Sequence, residues 1–371
     1  MNMNVVGIGV ISAHGRGVAS FETALLRGWV PPSHPDDCPD ATMAPFAYRV
    51  DQASLSDGSI SKRMRRADRF SKMAALAAWD AVRDSGIELD TIKSSLGVIV
   101  ATALGPHGTT FRFLDDILTY GDAEVSPTIF SHSVHNSAAS YISTILGSRG
   151  PTLTVTQFAF AFQHALMLAW TWLLDGRCKH VLVGSADECG AVMEYICSKK
   201  LRIADDGKIK PFMFSKGPVA VPGEGSVFFL LTNADSPKTY CKIPQVTLCG
   251  AEIHDCGPDI CILSADGMAE DETGYRSMVI KGAFAAAYAP IFGSMMTGCA
   301  FDCAAGALML SKQIRYGNPV QENPYGVDLC TVTEPVRVNE IWCAKLNCLG
   351  EKSVIQLCDP EGHCFCDREK T

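Results

Sequence analysis

The sequence predicts an α/β protein built from two layered halves. Short β-branched runs alternate with segments whose apolar residues recur every three to four positions, the spacing of amphipathic helices. Strands that alternate with helices in this way are typical of βαβ units around a mainly parallel sheet. The chain has 371 residues, more than one hydrophobic core usually accommodates. We therefore expect two halves, each with its own layers.

The first half is predicted to begin with a strand at Val5–Ile11. Its clearest helix covers Arg66–Ser85, because the apolar residues keep helical spacing and Gly86 stands where a C-cap glycine belongs. We predict further strands at 96–101, 152–156, 180–183 and 226–231, and further helices at 136–146 and 159–174.

A polar stretch at Asn233–Lys242, which contains Pro237, predicts the boundary between the halves. We place the first half at residues 1–235 and a shorter second half at 236–371. The second half repeats the pattern with a strand at 260–263, a helix at 304–314 and two strands near 336–346 and 353–357.

Composition and charge exclude several classes of function. Hydrophobic residues make up 47% of the chain and charged residues 19%, as in a globular protein. The net charge of −8 argues against nucleic acid as a partner, because binding phosphates requires a basic surface. The longest apolar run, Ala165–Leu174, is half of the ~20 residues that a membrane span needs. With no positively charged signal segment at the start, we expect a cytoplasmic protein without membrane contact.

The chain contains sixteen cysteines, which we expect to be reduced and mostly buried in that compartment. Four soft ligands crowd into the C-terminal tail: Cys358, His363, Cys364 and Cys366. Their spacing is a poor match to the paired CxxC pattern of structural zinc sites. We therefore predict no metal and no cofactor.

Five segments, in order along the chain, resemble motifs of the β-ketoacyl synthases, the condensing enzymes of fatty-acid and polyketide assembly. They are VVGIGVISAHG at 5–15, RRADRFSKMAALAAWDAVRDSG at 65–86, LGSRGPTLTVT at 146–156, KPFMFSKGPVAVPGEGSVFFLL at 210–231 and GSMMTGCAFDCAAGALML at 293–310. The resemblance implies a thiolase-like fold. That fold has two pseudo-duplicated βαβαβ halves in a layered α-β-α-β-α architecture.

The catalytic positions of that family are occupied by other residues in this sequence. The nucleophilic cysteine corresponds to Ala159, and the first histidine to Asp266. The second histidine corresponds to Cys299, which follows the family's Thr-Gly pair, and the lysine to Ser294. A methyl group cannot form an acyl-enzyme, and without the imidazoles the decarboxylation step has no support. The resemblance therefore implies a non-catalytic chain.

Within this family, the resemblance is to the non-catalytic chain-length factors of type II polyketide systems or of aryl-polyene-like systems. The resemblance implies two partners: an intact ketosynthase in a heterodimer, whose acyl tunnel this chain shapes, and an acyl carrier protein. Chain-length factors commonly carry glutamine at the cysteine position, whereas here Gln157 lies two residues earlier. The subfamily therefore stays open.

Two groups of residues are candidates for the tunnel and the interface. Phe158, Phe160 and Phe162 either crowd the place of the substrate or are core aromatics of a buried helix. The second group follows the glycines at 105–108 and could close the end of a partner's tunnel; it consists of Thr110, Phe111 and Phe113. We expect the strand at 152–156 to pair with the equivalent strand of the partner.

A basic cluster stands out in this acidic chain, at Lys62, Arg63, Arg65, Arg66 and Arg69. Because carrier proteins are acidic, we consider Arg65, Arg66 and Arg69 as candidates for carrier docking. The alternative is an ordinary solvated helix edge.

Two other functions stay open. The chain could condense acyl groups with a relocated nucleophile, Cys299 or Cys303, although only Asp302 lies nearby in sequence as a base. It could also be a dimerising scaffold that contributes nothing to a tunnel.

Overall fold

The structure, a computed structural model, describes residues 2–32, 46–217, 219–248 and 257–362. The strands of the first part of the chain are β1 (Met3–Ser12), β2 (Gly15–Arg16), β3 (Leu96–Thr102), β4 (Thr152–Thr156), β5 (His180–Asp187), β6 (Arg202–Ile203), β7 (Val219–Ala220) and β8 (Gly225–Thr232). Its helices are α1 (Val18–Arg27), α2 (Arg69–Ser85), α3 (Leu89–Ile92), α4 (His107–Tyr120), α5 (Pro127–His132), α6 (Ser137–Leu146), α7 (Ala161–Leu174) and α8 (Ala191–Lys200).

The later part of the chain has fewer helices among the described residues. Its strands are β9 (Cys241–Leu248), β10 (Ile260–Leu263), β11 (Phe284–Ala286), β12 (Ile314–Arg315), β13 (Glu334–Pro335), β14 (Glu340–Leu346) and β15 (Lys352–Cys358). Its α-helices are α9 (Ala289–Phe292) and α10 (Cys299–Lys312).

The main sheet has the strand order β11-β10-β14-β15-β9-β1-β8-β5-β3-β4, with β2 paired to β1. It consists of two runs of five strands that meet where β1 pairs with β9. When the five strands of each run are numbered in chain order, both runs have the order 3-2-4-5-1 from the outer edge of the sheet to its centre. The repeated order confirms the predicted duplication of the fold. The residue at which the halves divide, placed at 235/236, stays a prediction.

The prediction of a mainly parallel sheet is wrong. β3, β4 and β5 pair in parallel, as do β10, β11 and β14, but β8 and β15 are antiparallel to their neighbours, as β1 is to β9. Strand β15 is antiparallel to β14 because a tight turn joins the two strands. In this turn, Asn347 Oδ1 accepts hydrogen bonds from the backbone N–H groups of Leu349 and Glu351. A hairpin of this kind returns the chain antiparallel to β14.

The layers follow from which helices cover each face of the sheet. Helices α7 and α10 lie inside: α7 contacts β3, β5 and β9, and α10 contacts β14, β15 and β1. Helices α2 and α6 cover the outer face of the first run. On the outer face of the second run the 3-10 helix Glu272–Met278 packs against β14. This is the predicted α-β-α-β-α arrangement, with a thin fifth layer among the described residues.

Helix α2 shows how closely local sequence determines an element. The Asp68 carboxylate accepts a hydrogen bond of 2.6 Å from the Ser71 N–H and caps the first turn, and Gly86 ends the helix with φ of 70°. A Cβ on Gly9 of β1 would lie 1.9 Å from the Ala77 carbonyl oxygen. Glycine is therefore required where this strand and helix touch.

The described cysteines match the expectation of reduced thiols with one exception. Ten carry free thiols, and nine of these are buried. Cys358 is disulfide-bonded, so the expectation of reduced cysteines is wrong at this position. His363, Cys364 and Cys366 of the tail cluster lie outside the described residues.

Among the residues that the structure describes, no helix combines the length and the hydropathy that a membrane crossing requires.

Candidate functional site

A cavity of about 270 Å³ opens at the start of α7, between α8 and the loops that follow β10 and β14. Most of its wall is apolar: Phe158, Met193, Ile196, Leu201, Met268, Met296 and Leu346. Ala159 and Asp266, two of the four positions predicted to be degenerate, also line it. The structure thus brings together residues more than 100 positions apart in sequence.

Ala159 lies immediately before α7, whose N-cap is Phe160. The first N–H groups of a helix have no partner inside the helix, and with the helix dipole they favour a negative charge at this point. A thiol here would be activated, but the methyl group of Ala159 provides no nucleophile. The side chain is half-buried and faces the cavity.

Asp266 forms a buried ion pair with Lys345. The Lys345 Nζ lies 3.3 Å from Asp266 Oδ2, and each side chain is only 6% exposed. The other carboxylate oxygen accepts a hydrogen bond from the Met268 N–H at 3.2 Å. The turn between them requires glycine, since Gly267 has φ of 79° and a Cβ there would lie 1.8 Å from the Val219 carbonyl oxygen. Asp266 is thus fixed at the cavity wall.

Sequence reasoning missed Lys345, although a signal for it existed. It is a lysine inside the apolar run of β14, every residue of which is buried. A lysine in a buried strand is rarely without a partner. Burial disfavours its charge, but the negative charge of the neighbouring Asp266 carboxylate outweighs that effect and raises the pKa of Lys345. The ammonium is therefore charged at neutral pH.

Ser294 has a structural position beside this pair. Its hydroxyl donates to the Asp266 carbonyl oxygen and accepts a hydrogen bond from the Val221 N–H at 3.0 Å. It joins the loop after β10 to the segment that precedes β8. No amine stands at the position where the family carries its lysine; the Lys345 ammonium approaches the site from β14 instead.

Cys299 begins α10 and is completely buried. Hydrogen bonding with Cys303, followed by Ser264 and the charge of Lys345, lowers the pKa of Cys299 against the effect of burial. Neither Cys299 nor Cys303 is among the residues that line the cavity. Cys299, at the predicted second-histidine position, is thus close to the ion pair of Asp266 and Lys345 but does not line the cavity.

Asp302 is not available as a base for these thiols. Its Oδ2 accepts a hydrogen bond of 2.6 Å from the Ser264 hydroxyl, and its Oδ1 has no partner among the described residues. Burial raises the pKa of Asp302 well above the ordinary range of a carboxyl group. Burial therefore favours the neutral form of this carboxyl group.

The three phenylalanines near Ala159 point in different directions. Phe160 and Phe162 are 2% and 1% exposed, and the Phe162 ring packs against Phe229 with centroids 5.7 Å apart. Phe158 is 63% exposed and lines the cavity. Space remains beside Ala159 because only one of the three rings faces the cavity.

The residues proposed to close a tunnel lie on α4. Thr110 Oγ1 donates to the Ser133 carbonyl oxygen at 2.9 Å, and the Phe113 ring packs against Phe130 with centroids 5.5 Å apart. Phe111 is 49% exposed. His107 is the only buried residue of α4. Helices α4 and α5 together present an apolar surface, which we call the α4–α5 surface. It consists of Phe111, Leu114, Leu118, Tyr120 and Phe130.

Helix α4 is held at its first turn by Glu188. The Gly108 N–H donates to Glu188 Oε1 at 2.7 Å, and His107 Nε2 lies 3.0 Å from the Glu188 carbonyl oxygen. Burial, with the nearby charges of Asp68 and Glu224, raises the pKa of Glu188 to about 8. The anchor of α4 is therefore a carboxyl group that is largely protonated at neutral pH.

Strand β4 is the outer strand of the first run and is half-exposed to exposed along its whole length. Among the described strands it pairs only with β3. Its other edge therefore presents unpaired backbone N–H and C=O groups, which can pair with another chain. Leu153 on this strand is 44% exposed.

The basic cluster before α2 divides into two parts. Lys62, Arg63, Arg65 and Arg66 are exposed, and Arg65 and Arg66 form no ion pair within the described ranges. Arg69 instead turns inward, where its guanidinium pairs with the fully buried Glu224 and donates to the Val50 carbonyl oxygen. It therefore serves the internal structure of this half.

Comparisons with known proteins agree with this geometry. Residues 2–236, more than half of the chain, match the model of the β-ketoacyl synthase N-terminal domain. A Streptomyces halstedii protein named "Putative polyketide beta-ketoacyl synthase 1" is 24% identical over 275 residues, which cover 68% of this chain and 64% of that protein. The 3-oxoacyl-(acyl-carrier-protein) synthase 2 of Staphylococcus aureus strain N315 is 24% identical over 268 residues, with the same coverage. The matched region thus spans less than two thirds of these relatives.

Solved structures share the fold over nearly the whole chain. One described as "the ishigamide ketosynthase/chain length factor" has a TM-score of 0.79 at 18% identity and covers 96% of this chain and 98% of that chain. A β-ketoacyl synthase from Burkholderia phymatum STM815 has a TM-score of 0.81 at 14% identity, covering 96% and 99%. The chain belongs to the β-ketoacyl synthase family, and its fold is thiolase-like.

Proposed function

We propose that this chain is a non-catalytic ketosynthase homologue that pairs with an active ketosynthase and shapes its acyl tunnel. The observation that carries the proposal is Ala159, which occupies the activated point before α7. The surrounding positions agree, since the described residues that line the cavity include no histidine and Cys299 is sealed from it. Two cysteines line the cavity, Cys197 and Cys348, but neither begins a helix, and burial raises the pKa of Cys197 to about 11. Without an activated nucleophile or an imidazole, condensation has no chemical route.

Two surfaces support an intact ketosynthase as the partner. The unpaired edge of β4 can continue the sheet across a two-fold axis, as the equivalent strand of a related chain would do. The α4–α5 surface lies on a helix with a single buried residue, and exposed apolar patches of this kind mark interaction sites. The ishigamide structure, whose description pairs a ketosynthase with a chain length factor, makes such a complex a reasonable expectation.

An acyl carrier protein is the second proposed partner. Another structure with this fold is described as a type II polyketide synthase acyl-carrier protein in complex with its ketosynthase. The exposed Arg65 and Arg66 offer the positive surface that an acidic carrier needs. Arg69 contributes to this surface only through its partly exposed side chain, because its guanidinium is engaged by Glu224.

The relocated-nucleophile alternative has less support. Cys299 and Cys303 are 0% and 2% exposed, and burial raises the pKa of the neighbouring Asp302, which favours its neutral form. A reactive thiol needs both access and a base. A pure scaffold role differs from the tunnel role only in its effect on product length, so product analysis separates the two.

Assembly is tested by co-expression with a ketosynthase encoded next to this chain, followed by size-exclusion chromatography. We expect a heterodimer, and we expect Leu153→Asp on the edge of β4 to abolish it. The matched control is Leu26→Asp, since Leu26 is 56% exposed on α1, away from this edge. A heterodimer that survives Leu153→Asp, or a wild-type chain that stays monomeric beside its partner, contradicts the proposal.

The absence of catalysis is tested with the isolated chain and with Ala159→Cys. We expect no self-acylation and no condensation by the wild type, and no condensation by the variant, because Asp266 and Cys299 still replace the histidines. Mass spectrometry after incubation with acyl thioester, together with product analysis, measures both. Turnover by the wild type would favour a relocated catalytic site, whereas turnover by Ala159→Cys alone would show that only the nucleophile is missing at position 159.

A further inference from the structure

A second cavity, of about 480 Å³, lies between the short strands β6 and β7 and the loop that follows β10. Within the described part of the chain it shares no lining residue with the cavity beside Ala159. At about 30 Å³ for each water-sized group, it holds about sixteen non-hydrogen atoms. This is enough room for a small organic molecule that contains one ring.

The inner wall of this second cavity is apolar. It consists of Ile203, Ala204, Ile209, Met213 and Val219. Ala204 and Ile209 are 5% and 1% exposed, so they form the deep part of the wall. A ring that packs against such side chains loses apolar surface to water, which favours binding. The cavity therefore suits a ligand with an apolar body.

The deep end of the cavity also carries polar groups. Glu272 lines it and is 4% exposed, and Glu272 Oε1 accepts a hydrogen bond of 3.0 Å from the Gly267 N–H. A carboxyl group has more hydrogen-bonding capacity than one such bond uses. The half-buried Ser215 lines the cavity as well and offers a hydroxyl group. A phenol hydroxyl both donates and accepts, so it can pair with the Glu272 carboxyl in either protonation state.

The rim of the cavity carries one cation and one anion that lack ion-pair partners. Lys208 and Lys210 each have an acidic partner already, at 3.8 Å and 2.6 Å. Arg202 and Asp205 also line the cavity, are exposed, and form no ion pair with each other or elsewhere in the described ranges.

This pair of opposite charges selects a zwitterion. A guanidinium binds a carboxylate through two parallel hydrogen bonds, and a carboxylate binds an ammonium. A ligand with a carboxylate alone would leave Asp205 uncompensated beside its own charge, and a simple amine would do the same at Arg202. A free amino acid carries both groups on one carbon atom.

We propose that this second cavity binds a free aromatic α-amino acid whose ring carries a hydroxyl group, of which tyrosine is the simplest example. The ligand carboxylate pairs with Arg202 and its ammonium with Asp205. The ring lies against Ile209, and the hydroxyl group pairs with Glu272. This inference goes beyond the proposed function, because it requires neither a ketosynthase nor a carrier protein.

Binding is measured by titration calorimetry with the full chain and four probes. L-tyrosine has every group that the cavity selects, L-phenylalanine lacks the hydroxyl, tyramine lacks the carboxylate, and 3-(4-hydroxyphenyl)propanoate lacks the ammonium. We expect L-tyrosine to bind with a Kd below about 1 mM. Each of the other three should bind at least about threefold more weakly, the effect of losing one hydrogen bond or one exposed ion pair.

Two variants assign the charges of the ligand to their partners. Arg202→Gln should weaken the binding of L-tyrosine and of the propanoate but not of tyramine. Asp205→Asn should weaken the binding of L-tyrosine and of tyramine but not of the propanoate. Both side chains are exposed, so the fold is preserved. The matched controls are Arg177→Gln and Asp175→Asn, in an exposed ion pair just after α7.

The proposal is overturned if L-tyrosine does not bind below about 1 mM. Equal affinity for L-phenylalanine would also overturn it, as would unchanged affinity for L-tyrosine in either Arg202→Gln or Asp205→Asn. None of these results affects the proposed function, because heterodimer assembly and product length are measured separately.

Discussion

Helices α2 and α4 have similar lengths but opposite surroundings. Eleven of the seventeen residues of α2 are buried, between β1, β8 and α6. Of the fourteen residues of α4, only His107 is buried. A helix gains most of its stability from packing an apolar face, and α4 exposes that face. The comparison shows that α2 belongs to the core of this chain, whereas α4 leaves its apolar face exposed, where the proposed partner would pack.

The largest effect on stability is expected from a substitution in α2, the helix that belongs to the core. Phe70 in α2 is fully buried in the outer apolar layer of the first half. Phe70→Ala should lower the free energy of unfolding by about 3–5 kcal/mol, as phenylalanine truncation in a packed core does. Chemical denaturation measures the change. A loss below about 1 kcal/mol would mean that α2 is less essential to the core than its burial indicates.

A pH-dependent effect is expected at the anchor of α4. The folded state holds the Glu188 proton up to about pH 8, whereas an unfolded glutamate loses it near its ordinary value of 4.5. The folded state thus binds more protons in this window, so the contribution of Glu188 to stability is greatest below pH 4.5 and is lost as the pH rises through 8. Arg69 opposes this raised pKa only in part.

Glu188→Gln keeps an oxygen that can accept from the Gly108 N–H but removes the titration. We expect the variant to lose less stability than the wild type between pH 5 and pH 8, as measured by denaturation across that range. Glu272, another buried carboxyl group with a pKa of about 8, remains in both proteins and cancels in the difference. Identical pH profiles would show that Glu188 does not anchor α4 through its protonated form.

Substitutions on α4, the exposed helix, should change function with little change of stability. Phe111→Ala should alter the free energy of unfolding of the isolated chain by about 0.5 kcal/mol or less, since Phe111 is exposed. Phe113→Ala should cost more, since Phe113 is half-buried and packs against Phe130. In complex with a ketosynthase, either variant should lengthen the products while assembly persists, because a packed aromatic wall blocks further chain growth. Unchanged product length in both variants would favour the scaffold role.

The smallest effect is expected at the basic cluster before α2. Reversing Arg65 and Arg66 to Glu should slow carrier-dependent turnover of the complex at low salt and leave it nearly unchanged at high salt, because screening removes steering. The matched control reverses Lys281, which is also exposed but lies outside the cluster. Equal rates at low salt would identify an ordinary solvated surface.

Local patterns in the sequence determined much of the fold. The strand at 152–156 has its predicted bounds, α2 ends at its predicted glycine cap, Gly86, and α6 ends at residue 146 as predicted. These elements are decided by residues within a few positions of one another. The correspondence of Ala159, Ser294 and Cys299 to catalytic positions rests on short motifs around them, whereas that of Asp266 rests on few residues; all four stay predictions.

Only the tertiary structure showed which distant residues meet. Lys345 and Asp266 are 79 positions apart, and Arg69 and Glu224 are 155 positions apart. No periodicity encodes such pairs, so the sequence placed Arg69 on a docking surface and did not find Lys345. The exposure of α4 was equally hidden, since its apolar residues resemble those of a packed helix until the neighbouring elements are in place. Periodicity reports which residues share a face, whereas the fold decides what that face contacts.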